Sequence, residues 1–374
     1  MSTGVAVLGS TGSIGCATLQ VLSRHRDRFH VTALTAHSNV ELLDRQTAEW
    51  RPAFVGLVNG KTGTRGGKGA ACLVDAATHP DARIVVNGIV GAAGLAATLA
   101  ALRAGKRVAL ANKESLVMAG DLVLKAAREG KGEIVPVDSE HSAVLQCVTG
   151  QRPGELRRLI LTASGGPFRT WEPSRTARAT VAEALNHPTW KMGKKITIDS
   201  ATLVNKALEV IEAHFLFALG YDRLEVVIHP QSVIHGFVEF ADGSVLAQLG
   251  FPNMELPILY ALTYPGRLPD EGSRRFDPIT AGPLTFEPVA PERFPAFRLG
   301  RAAGETGRSA PAAFNAANEE AVQAFLEGRI PFGRITETIA AVLDRHHPTG
   351  LDSLESVLAV DAEARRLARE RMCS

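Results

Sequence analysis

Two carboxylates separated by one residue form the first group that suits a specific chemistry. Asp138 and Glu140 follow the apolar run Ile134–Val137 and flank Ser139. Both carboxylates can point to one spot if the chain turns at the end of a strand, and hard divalent cations prefer such oxygen ligands. The same residues are equally typical of a helix start, with Asp138 or Ser139 as the cap. Residue type alone leaves both interpretations open.

A second polar group lies on a segment with helical spacing, Ser200–Leu219. Asn205 and Glu209 are four residues apart and Glu212 follows three later, which places these three on one helix face. Lys206 lies at the margin of that face. Such a face suits a phosphate at one end and a metal ion at the other. A solvated amphipathic face is the alternative.

Two further segments have the composition of an anion site and of a lid. Ser164-Gly165-Gly166 follows a predicted strand and offers backbone N–H groups to an anion; a plain turn is the alternative. The segment Asn186–Gly193 places His and Trp beside Pro and Gly, which is a poor core sequence and is typical of a mobile lid. An ordinary loop with a packed Trp190 is the alternative.

Glycines follow the first predicted strand at a regular spacing. Gly9, Gly12 and Gly15 open the first predicted helix. Glycine permits a tight turn and close approach of the backbone to a pyrophosphate, and the helix N-terminus offers N–H groups and partial positive charge. The spacing is G-x-x-G-x-x-G rather than the commoner G-x-G-x-x-G. We interpret it as a dinucleotide-binding turn; a turn that serves only helix–sheet packing is the alternative.

The turn after the second predicted strand indicates which dinucleotide is bound. His37, Ser38 and Asn39 stand where sites for NAD usually carry an acidic residue. A neutral turn tolerates the additional 2′-phosphate and therefore favours NADP. Capping of the next helix by Ser38 and Asn39 is the alternative.

Alternating strand and helix patterns position these residues in the first third of the chain. The pattern predicts an α/β domain with a Rossmann-like, doubly wound parallel sheet. The Gly-rich segment Asn59–Gly69 is predicted to be a surface loop. The predicted strands are Val5–Leu8, His30–Ala36, Phe54–Val58, Ile84–Val86 and Val108–Ala111, and the predicted helices are Thr11–Ser23, Val40–Trp50 and Gly94–Leu102.

The rest of the chain has a different pattern. Asp242-Gly243 predicts a hairpin between the last two strands of a central α+β block. The segment Pro265–Pro295 holds seven of the 20 prolines, which predicts a linker without regular helix or sheet. The central strands are predicted at Arg158–Thr162, Leu224–Ile228, Ile234–Phe240 and Ser244–Leu249, and the helices of a C-terminal helical bundle at Ala312–Leu326, Phe332–His346 and Leu354–Met372. We predict a nucleotide-binding domain at 1–132, a metal- and substrate-binding catalytic domain at 133–264, a proline-rich linker at 265–295 and the bundle at 296–374.

Composition excludes several classes of protein. The chain has 374 residues, of which 45% are hydrophobic, so disorder is excluded as the main state. Lys plus Arg is 41 and Asp plus Glu is 39, which argues against a nucleic-acid-binding surface. The four cysteines show no C-x-x-C spacing and indicate a reducing, cytoplasmic location without a signal peptide. The uncharged run Ile84–Leu102 is long enough to span a bilayer, but its glycines split it, so we predict no membrane segment.

Ordered motifs along essentially the whole chain resemble those of the 1-deoxy-D-xylulose-5-phosphate reductoisomerases. So many motifs in one order make a chance match very improbable. They are Val7–Gly15, Asn87–Gly94, Leu110–Ser115, Val137–Ser142, Thr162–Phe168, His187–Gly193, Asp199–Glu212 and His229–His235.

The resemblance implies an NADPH-dependent enzyme that also requires a divalent cation, Mg or Mn. Its reaction rearranges and reduces 1-deoxy-D-xylulose 5-phosphate to 2-C-methyl-D-erythritol 4-phosphate, in non-mevalonate isoprenoid precursor biosynthesis, and the enzyme is a homodimer. The implied metal ligands are Asp138, Glu140 and Glu209, and the implied catalytic residues are Lys113, Glu140, His187 and Glu212. The implied substrate-binding residues are Lys113, Ser139, Glu140, Ser164, His187, Trp190, Ser200, Asn205, Lys206 and Glu209. The implied cofactor-binding residues are Gly9, Thr11, Gly12, Ser13, Ile14, Gly15, His37, Ser38, Asn39, Asn112, Glu114 and Gly193, and His235 is a further pocket residue.

Two segments depart from the family pattern. The family often has a basic residue or Gly where this chain has His37-Ser38, which bears on the preference for NADP. Family members commonly read P-D-M-R where this chain has Pro252-Asn-Met-Glu255, and we expect that change to affect packing or a subunit interface rather than chemistry.

Two other classes of protein remain as alternatives. One is a two-domain dehydrogenase of the semialdehyde or homoserine type, and the former would need a Cys nucleophile for which Cys147 is the only candidate. The other is a non-catalytic NADP-sensing protein, which would not need the acidic residues Asp138, Glu140 and Glu209.

Overall fold

The computed structural model describes residues 2–59, 67–272, 274–290 and 292–373. The chain forms two compact units, each made of several segments. The first comprises Met1–Ser115, Asp121–Ser142 and Asn253–Arg274, and the second comprises Leu116–Gly120, Ala143–Pro252 and Arg275–Ser374. The division into three domains and a linker stays a prediction.

A seven-stranded sheet forms the centre of the first unit. All of its strand pairs are parallel, in the order β4-β3-β2-β1-β5-β6-β7. Because the order reverses between β1 and β5, their carboxyl ends flank the position where doubly wound sheets bind ligands. The predicted fold class is therefore confirmed for this unit. The strands are β1 (Thr3–Leu8), β2 (Phe29–Ala36), β3 (Phe54–Leu57), β4 (Gly67–Lys68), β5 (Ile84–Asn87), β6 (Arg107–Leu110) and β7 (Glu133–Pro136).

Buried apolar runs explain these strands. Val5, Ala6, Val7 and Leu8 of β1 are all 0% exposed, as expected for a parallel strand covered on both faces. The predicted loop Asn59–Gly69 is wrong at its end, because Gly67 and Lys68 pair with β3. Residues 60–66 of that segment lie outside the described residues.

Helices occupy most of the connections between strands. The uncharged run that begins at Ile84 divides into β5 and a helix that begins at Leu95. Among the described residues, no helix is long and apolar enough to cross a membrane. The helices are α1 (Ser13–Arg24), α2 (Val40–Trp50), α3 (Ala71–Ala77), α4 (Leu95–Arg103), α5 (Lys113–Gly130), α6 (Ser139–Val148), α7 (Pro173–Thr176), α8 (Val181–Leu185), α9 (Lys194–Ala201), α10 (Val204–Phe217), α11 (Glu255–Thr263), α12 (Pro295–Thr306), α13 (Ala310–Leu326), α14 (Gly333–Arg345) and α15 (Leu354–Cys373).

An ion-pair cluster in the first unit joins α1 to the first residue of α11. Arg24 of α1 donates to Glu255 at 2.6 Å and to both carboxylate oxygens of Asp270 at 2.7 and 2.9 Å. Glu255 is the first residue of α11, where a negative charge is favoured by the helix dipole. The acidic residue at this position therefore contributes to packing of α1 against the segment Asn253–Arg274.

The second unit contains a mixed sheet of five strands in the order β11-β10-β8-β9-β12. The predicted hairpin at Asp242-Gly243 is confirmed, because β10 and β11 are antiparallel around it. The prediction that the proline-rich segment holds no strand is wrong. Two of its residues add an edge strand to β9, a position at which proline is tolerated. The strands are β8 (Leu156–Ala163), β9 (Leu224–Ile228), β10 (Ile234–Phe240), β11 (Val245–Leu249) and β12 (Glu287–Pro288).

Helix α10 is buried on two sides within the second unit. Val210 and Ala213 pack in a core cluster with residues of the sheet. Leu208 and Ile211 pack in another cluster with Phe314 and other residues of the C-terminal helices. The polar residues of α10 consequently lie inside the unit. The C-terminal helices pack together in the second of these clusters, which confirms the predicted helical bundle.

The predicted helix Ser200–Leu219 is wrong at one point, because it is two helices. α9 ends at Ala201 and α10 begins at Val204, with Leu203 between them at a left-handed φ of 56°. The Thr202 hydroxyl donates to the carbonyls of Ile198 and Asp199 and accepts from the N–H of Val204. These side-chain bonds offer the backbone an alternative to continuing the helix. The break gives α10 an N-terminus of its own between Ser200 and Asn205.

Candidate active site

The glycine-rich turn after β1 is held in place by hydrogen bonds of the first unit. Gly9 has a φ of 75°, and its N–H donates to Thr35 Oγ1 at 3.2 Å. The Ser10 N–H donates to the Thr35 carbonyl at 2.8 Å, and the Ser10 hydroxyl donates to Gln46 Oε1 at 2.7 Å. The N–H of Gly12 donates back to the Gly9 carbonyl at 3.0 Å. The turn is therefore fixed before any ligand binds.

The last glycine of this motif has no room for a side chain. A Cβ at Gly15 would lie 2.3 Å from the Gly9 carbonyl oxygen and 2.4 Å from Ser10 Cα. Gly12 and Ser13 are exposed, and Thr11 and Ile14 are partly exposed, so the start of α1 is open to solvent. An exposed helix N-terminus beside a close-packed glycine turn fits the pyrophosphate of a dinucleotide.

The residues that follow β2 include one that caps α2 and two whose side chains are exposed. Asn39 Oδ1 accepts from the N–H of Leu42 at 3.1 Å, so the capping interpretation is confirmed for Asn39. His37 and Ser38 are exposed, and the His37 ring bonds to Asn59 Nδ2 at 3.1 Å. His37 and Ser38 thus remain accessible beside the carboxyl end of β2.

Asn112 and Glu114 form a buried network at the end of β6. Asn112 Nδ2 donates to the carbonyls of Ile89 and Gly91, each at 2.9 Å, and to Glu114 at 3.0 Å. Ser115 Oγ donates to Asn112 Oδ1 at 2.5 Å. Asn112 is 0% exposed, so its side chain positions the loop after β5. The sequence had not indicated this role.

The predicted metal-binding carboxylates of the first unit lie at the start of α6. The helix begins at Ser139, which confirms the helix-start interpretation. The Lys113 ammonium, 6% exposed, forms an ion pair with Asp138. Ser139 Oγ donates to Glu140 at 2.5 Å. Both carboxylates of the pair therefore have polar partners within the first unit.

The polar residues of α10 are buried rather than solvated. Glu209 and Glu212 are 0% exposed and Lys206 is 3% exposed. The Glu209 carboxylate accepts from Asn205 Nδ2 at 2.5 Å and forms an ion pair with Lys206. The prediction that Asn205 and Glu209 share a helix face is confirmed by this contact. A buried charge requires compensation, which Lys206 supplies to Glu209.

His187 and two serines form a polar cluster elsewhere in the second unit. His187 Nδ1 accepts from the backbone N–H groups of Thr189 at 3.1 Å and Trp190 at 2.9 Å. This arrangement assigns the proton to Nε2, which donates to Ser164 Oγ at 3.0 Å and Ser200 Oγ at 3.2 Å. Burial lowers the pKa of His187 from its ordinary 6.5, so the neutral ring is favoured.

Two glycines bring the backbone close to this cluster. Gly165 and Gly166 have φ values of 83° and 67°, which favour glycine. A Cβ at Gly166 would lie 2.5 Å from the Ser200 carbonyl oxygen. The Gly166 N–H donates to Ser164 Oγ at 3.2 Å. Ser164, Ser200 and His187, which the resemblance implies as substrate-binding residues, are thus in contact with one another.

The segment after His187 is docked within the second unit. Thr189 Oγ1 donates to the Pro230 carbonyl at 3.3 Å, and the rings of Trp190 and His235 lie 6.1 Å apart. The segment ends at Gly193, which is exposed and precedes α9.

The fold and these side chains define a class of protein. A doubly wound sheet with a glycine-rich turn at its switch point is typical of α/β enzymes that bind a dinucleotide. The second unit adds buried hydroxyl, imidazole, ammonium and carboxylate groups, which suit an anionic substrate and a cation. The class is therefore a dinucleotide-dependent α/β enzyme.

Comparisons with known proteins are more specific. Family models for 1-deoxy-D-xylulose 5-phosphate reductoisomerase match residues 5–120 and, as C-terminal domains of the same enzyme, residues 134–217 and 249–367. The reductoisomerase of Geobacter sp. strain M21 is 51% identical over 98% of both chains, and that of Geobacillus kaustophilus is 48% identical over the same shares. The chain belongs to the 1-deoxy-D-xylulose 5-phosphate reductoisomerase family.

Solved structures of the family have the same fold. The enzyme from Zymomonas mobilis in complex with NADPH is 42% identical, with a TM-score of 0.92 over 100% of both chains. A reductoisomerase in complex with NADPH, fosmidomycin and magnesium is 40% identical, with a TM-score of 0.94 over 99% of this chain and 98% of that one.

Proposed function

We propose that this protein converts 1-deoxy-D-xylulose 5-phosphate to 2-C-methyl-D-erythritol 4-phosphate, with NADPH and a divalent cation, in non-mevalonate isoprenoid precursor biosynthesis. Family membership across nearly the whole chain supports the reaction. The observation that carries the proposal is the cluster of His187, Ser164 and Ser200, because it presents neutral hydrogen-bonding groups suited to a substrate phosphate. We further propose a cytoplasmic homodimer.

NADPH would bind at the glycine-rich turn of the first unit. When bound it supplies the hydride for reduction. The close contacts at Gly15 and the open start of α1 fit a pyrophosphate. Exposed His37 and Ser38 can accommodate a 2′-phosphate without the repulsion that an acidic residue would cause. The residues proposed to contact the cofactor are Gly9, Thr11, Gly12, Ser13, Ile14, Gly15, His37, Ser38, Asn39, Asn112, Glu114 and Gly193.

Three carboxylates are proposed to hold Mg or Mn. The carboxylate oxygens of Asp138, Glu140 and Glu209 have the chemistry that fits a hard cation. When bound, the cation polarises the substrate carbonyl. Asp138 already has a cationic partner in Lys113, and Glu209 has one in Lys206.

The substrate phosphate is proposed to bind Ser164, Ser200, Asn205 and Lys206. Two hydroxyls, one amide and one ammonium provide several donors with a single positive charge. The N-terminus of α10 adds backbone N–H groups near Asn205. The Lys206 ammonium would then contact both the substrate phosphate and the Glu209 carboxylate. One buried ammonium would thus link the phosphate site to a proposed metal ligand.

His187 and Trp190 are proposed to close over the substrate. His187 orders the segment by accepting two of its backbone N–H groups, and its Nε2–H reaches the serines. Binding energy from a remote phosphate can stabilise the closed segment, which excludes water from the reacting carbons. Lys113 and Ser139 are proposed to orient the substrate, and Glu212 is proposed to be a catalytic residue.

The test is turnover by purified protein. NADPH should be oxidised when 1-deoxy-D-xylulose 5-phosphate is added with Mg²⁺ or Mn²⁺, and mass spectrometry should detect the reduced product. Chelation of the cation should stop the reaction. If NADPH binds but is not oxidised under any of these conditions, the proposed function is wrong and a sensing role is favoured.

A further inference from the structure

A buried carboxylate next to Ser200 has partners that the proposed reaction does not use. Asp199 is 1% exposed and lies one residue before Ser200 in α9. It forms an ion pair with Lys195 at 3.0 Å, one turn earlier in the same helix. Its other oxygen accepts from Asn318 Nδ2, on α13, at 2.8 Å. The bundle helix α13 is thus hydrogen-bonded to the turn of α9 that carries Ser200.

The arrangement is a costly way to hold two helices together. Asn318 is 0% exposed, and among the described residues no hydrogen-bond partner reaches its Oδ1. An unsatisfied buried carbonyl is destabilising, and a buried ion pair adds little stability compared with apolar residues of similar size. Ile198 and Ala317, on the same two helices, belong to the surrounding hydrophobic core cluster. Packing alone does not explain why a polar contact occurs here.

The contact has the right position to control the direction of the Ser200 side chain. Because Asp199 and Ser200 are adjacent in one helical turn, a shift of Asp199 about the helix axis moves the Ser200 hydroxyl with it. That hydroxyl is also held by His187 at 3.2 Å, and the Ser200 carbonyl closely faces Gly166. Small displacements at a binding group have large effects on substrate positioning.

We propose that Asn318, acting through Asp199, is a positioning residue that sets the Ser200 hydroxyl for the substrate phosphate. The inference rests on the proposed function, in which Ser200 binds that phosphate. The helical bundle would thus contribute to substrate recognition through Asn318, which does not itself contact the substrate.

A double-mutant cycle tests the inference. Asn318→Leu keeps the approximate shape but removes the donor to Asp199, and it should raise KM for the substrate about tenfold. The Kd for NADPH should stay unchanged. In a Ser200→Ala background the same substitution should have almost no further effect on KM, because the hydroxyl that Asn318 positions is gone. Equal KM effects in both backgrounds would show a merely structural role and overturn the inference.

Two further variants separate folding from positioning. Asn315→Leu lies one turn away on α13, is equally buried and bonds Glu319 at 3.0 Å, so its KM should match the wild type. If Asn318→Leu does not fold, a second pair of variants replaces it. Asn318→Asp alone places two carboxylates together and should raise KM. Adding Asp199→Asn exchanges the donor and the acceptor of the hydrogen bond and should restore the wild-type KM. Failure of that rescue in a folded protein would also overturn the inference. Turnover by the wild type decides the proposed function separately.

Discussion

The ammonium of Lys206 and the carboxylate of Glu209 form an ion pair one turn apart on α10, inside a helix that is buried on two sides. Asn205 donates to the same carboxylate. Lys206 is 3% exposed and Glu209 is 0% exposed, so the two charges face each other rather than solvent. Buried charges are costly unless they are paired. This ion pair joins a residue of the proposed phosphate site, Lys206, to a proposed metal ligand, Glu209.

Glu209→Gln is expected to abolish turnover while leaving NADPH binding nearly intact. The amide keeps the size of the carboxylate but lacks the charge that a divalent cation requires. Calorimetric titration with Mn²⁺ should show lost or strongly weakened binding, and the fluorescence of NADPH should report an unchanged Kd.

Folding of this variant needs its own control, because the substitution removes the carboxylate paired with the buried Lys206. The double variant Glu209→Gln with Lys206→Gln restores neutrality and should recover thermal stability without recovering Mn²⁺ binding. Loss of NADPH and Mn²⁺ binding together in a protein with a lowered Tm would instead assign Glu209 a folding role.

His187→Ala should impair use of the substrate far more than affinity for the cofactor. The substitution removes the acceptor for two backbone N–H groups and the donor to Ser164 and Ser200, so kcat/KM should fall about 10- to 100-fold. Steady-state kinetics and an NADPH titration provide the comparison. Asn186→Ala, an exposed neighbour, should behave like the wild type. Unchanged kinetics for His187→Ala would remove that residue from the site.

Hydrophobic periodicity predicts the first unit well because its strands are continuous buried runs. The predicted helix Val40–Trp50 has the observed bounds, since Asn39 caps its start with its own side chain. The predictions failed where a few side-chain contacts override the local pattern. Leu203 occupies a left-handed conformation without the usual Gly, because Thr202 redirects the hydrogen bonds that would continue α9.

The candidate site shows the same limit. Spacing along a helix places Asn205 and Glu209 together, and the observed hydrogen bond agrees. Nothing in the local sequence indicates that Asn318 contacts Asp199, because that contact depends on how α9 packs against α13. Long-range partners of this kind become visible only in the folded chain.

Gly15→Ala should reduce both stability and NADPH affinity. A methyl group at this position overlaps the Gly9 carbonyl and Ser10 Cα, so α1 must move away from β1, at a cost of about 1–3 kcal/mol. Gly154→Ala is the matched control, because a Cβ there meets nothing within 4 Å. Urea unfolding and NADPH titration of the two variants give the comparison. Equal stability of both would contradict the close packing of the turn.

Acidification should destabilise the protein through His229. Its Nδ1–H donates to the Thr285 carbonyl at 2.9 Å, while Nε2 accepts from the Val233 N–H at 3.1 Å, so the ring must be neutral. Burial lowers the pKa of His229 from 6.5 in the folded state. The unfolded chain therefore binds the proton more readily, and the free energy of unfolding should fall as the pH drops below 6.5.

His229 can change the free energy of unfolding by at most about 1.4 kcal/mol per pH unit, because one group takes up one proton. Burial also lowers the pKa values of His187 and His346. The pH dependence of the wild-type unfolding free energy should therefore be the sum of the contributions of all three histidines. His229→Phe retains a ring against Phe286 but cannot titrate, and its unfolding free energy should depend less on pH. Urea unfolding between pH 5.5 and pH 7.5 measures this, and an unaltered slope would exclude His229 as a contributor.

Glu255→Arg should destabilise the first unit. The new guanidinium would face Arg24 and place a positive charge in the first turn of α11, which together should cost about 1–3 kcal/mol. Glu255→Gln should cost less, because it keeps a hydrogen-bond acceptor for Arg24. Exchanging the charges with Arg24→Glu and Glu255→Arg should not restore the Tm, since Asp270 contacts Arg24 through both carboxylate oxygens and would then face Glu at position 24. Full recovery by the exchange would show that Asp270 contributes nothing to this cluster.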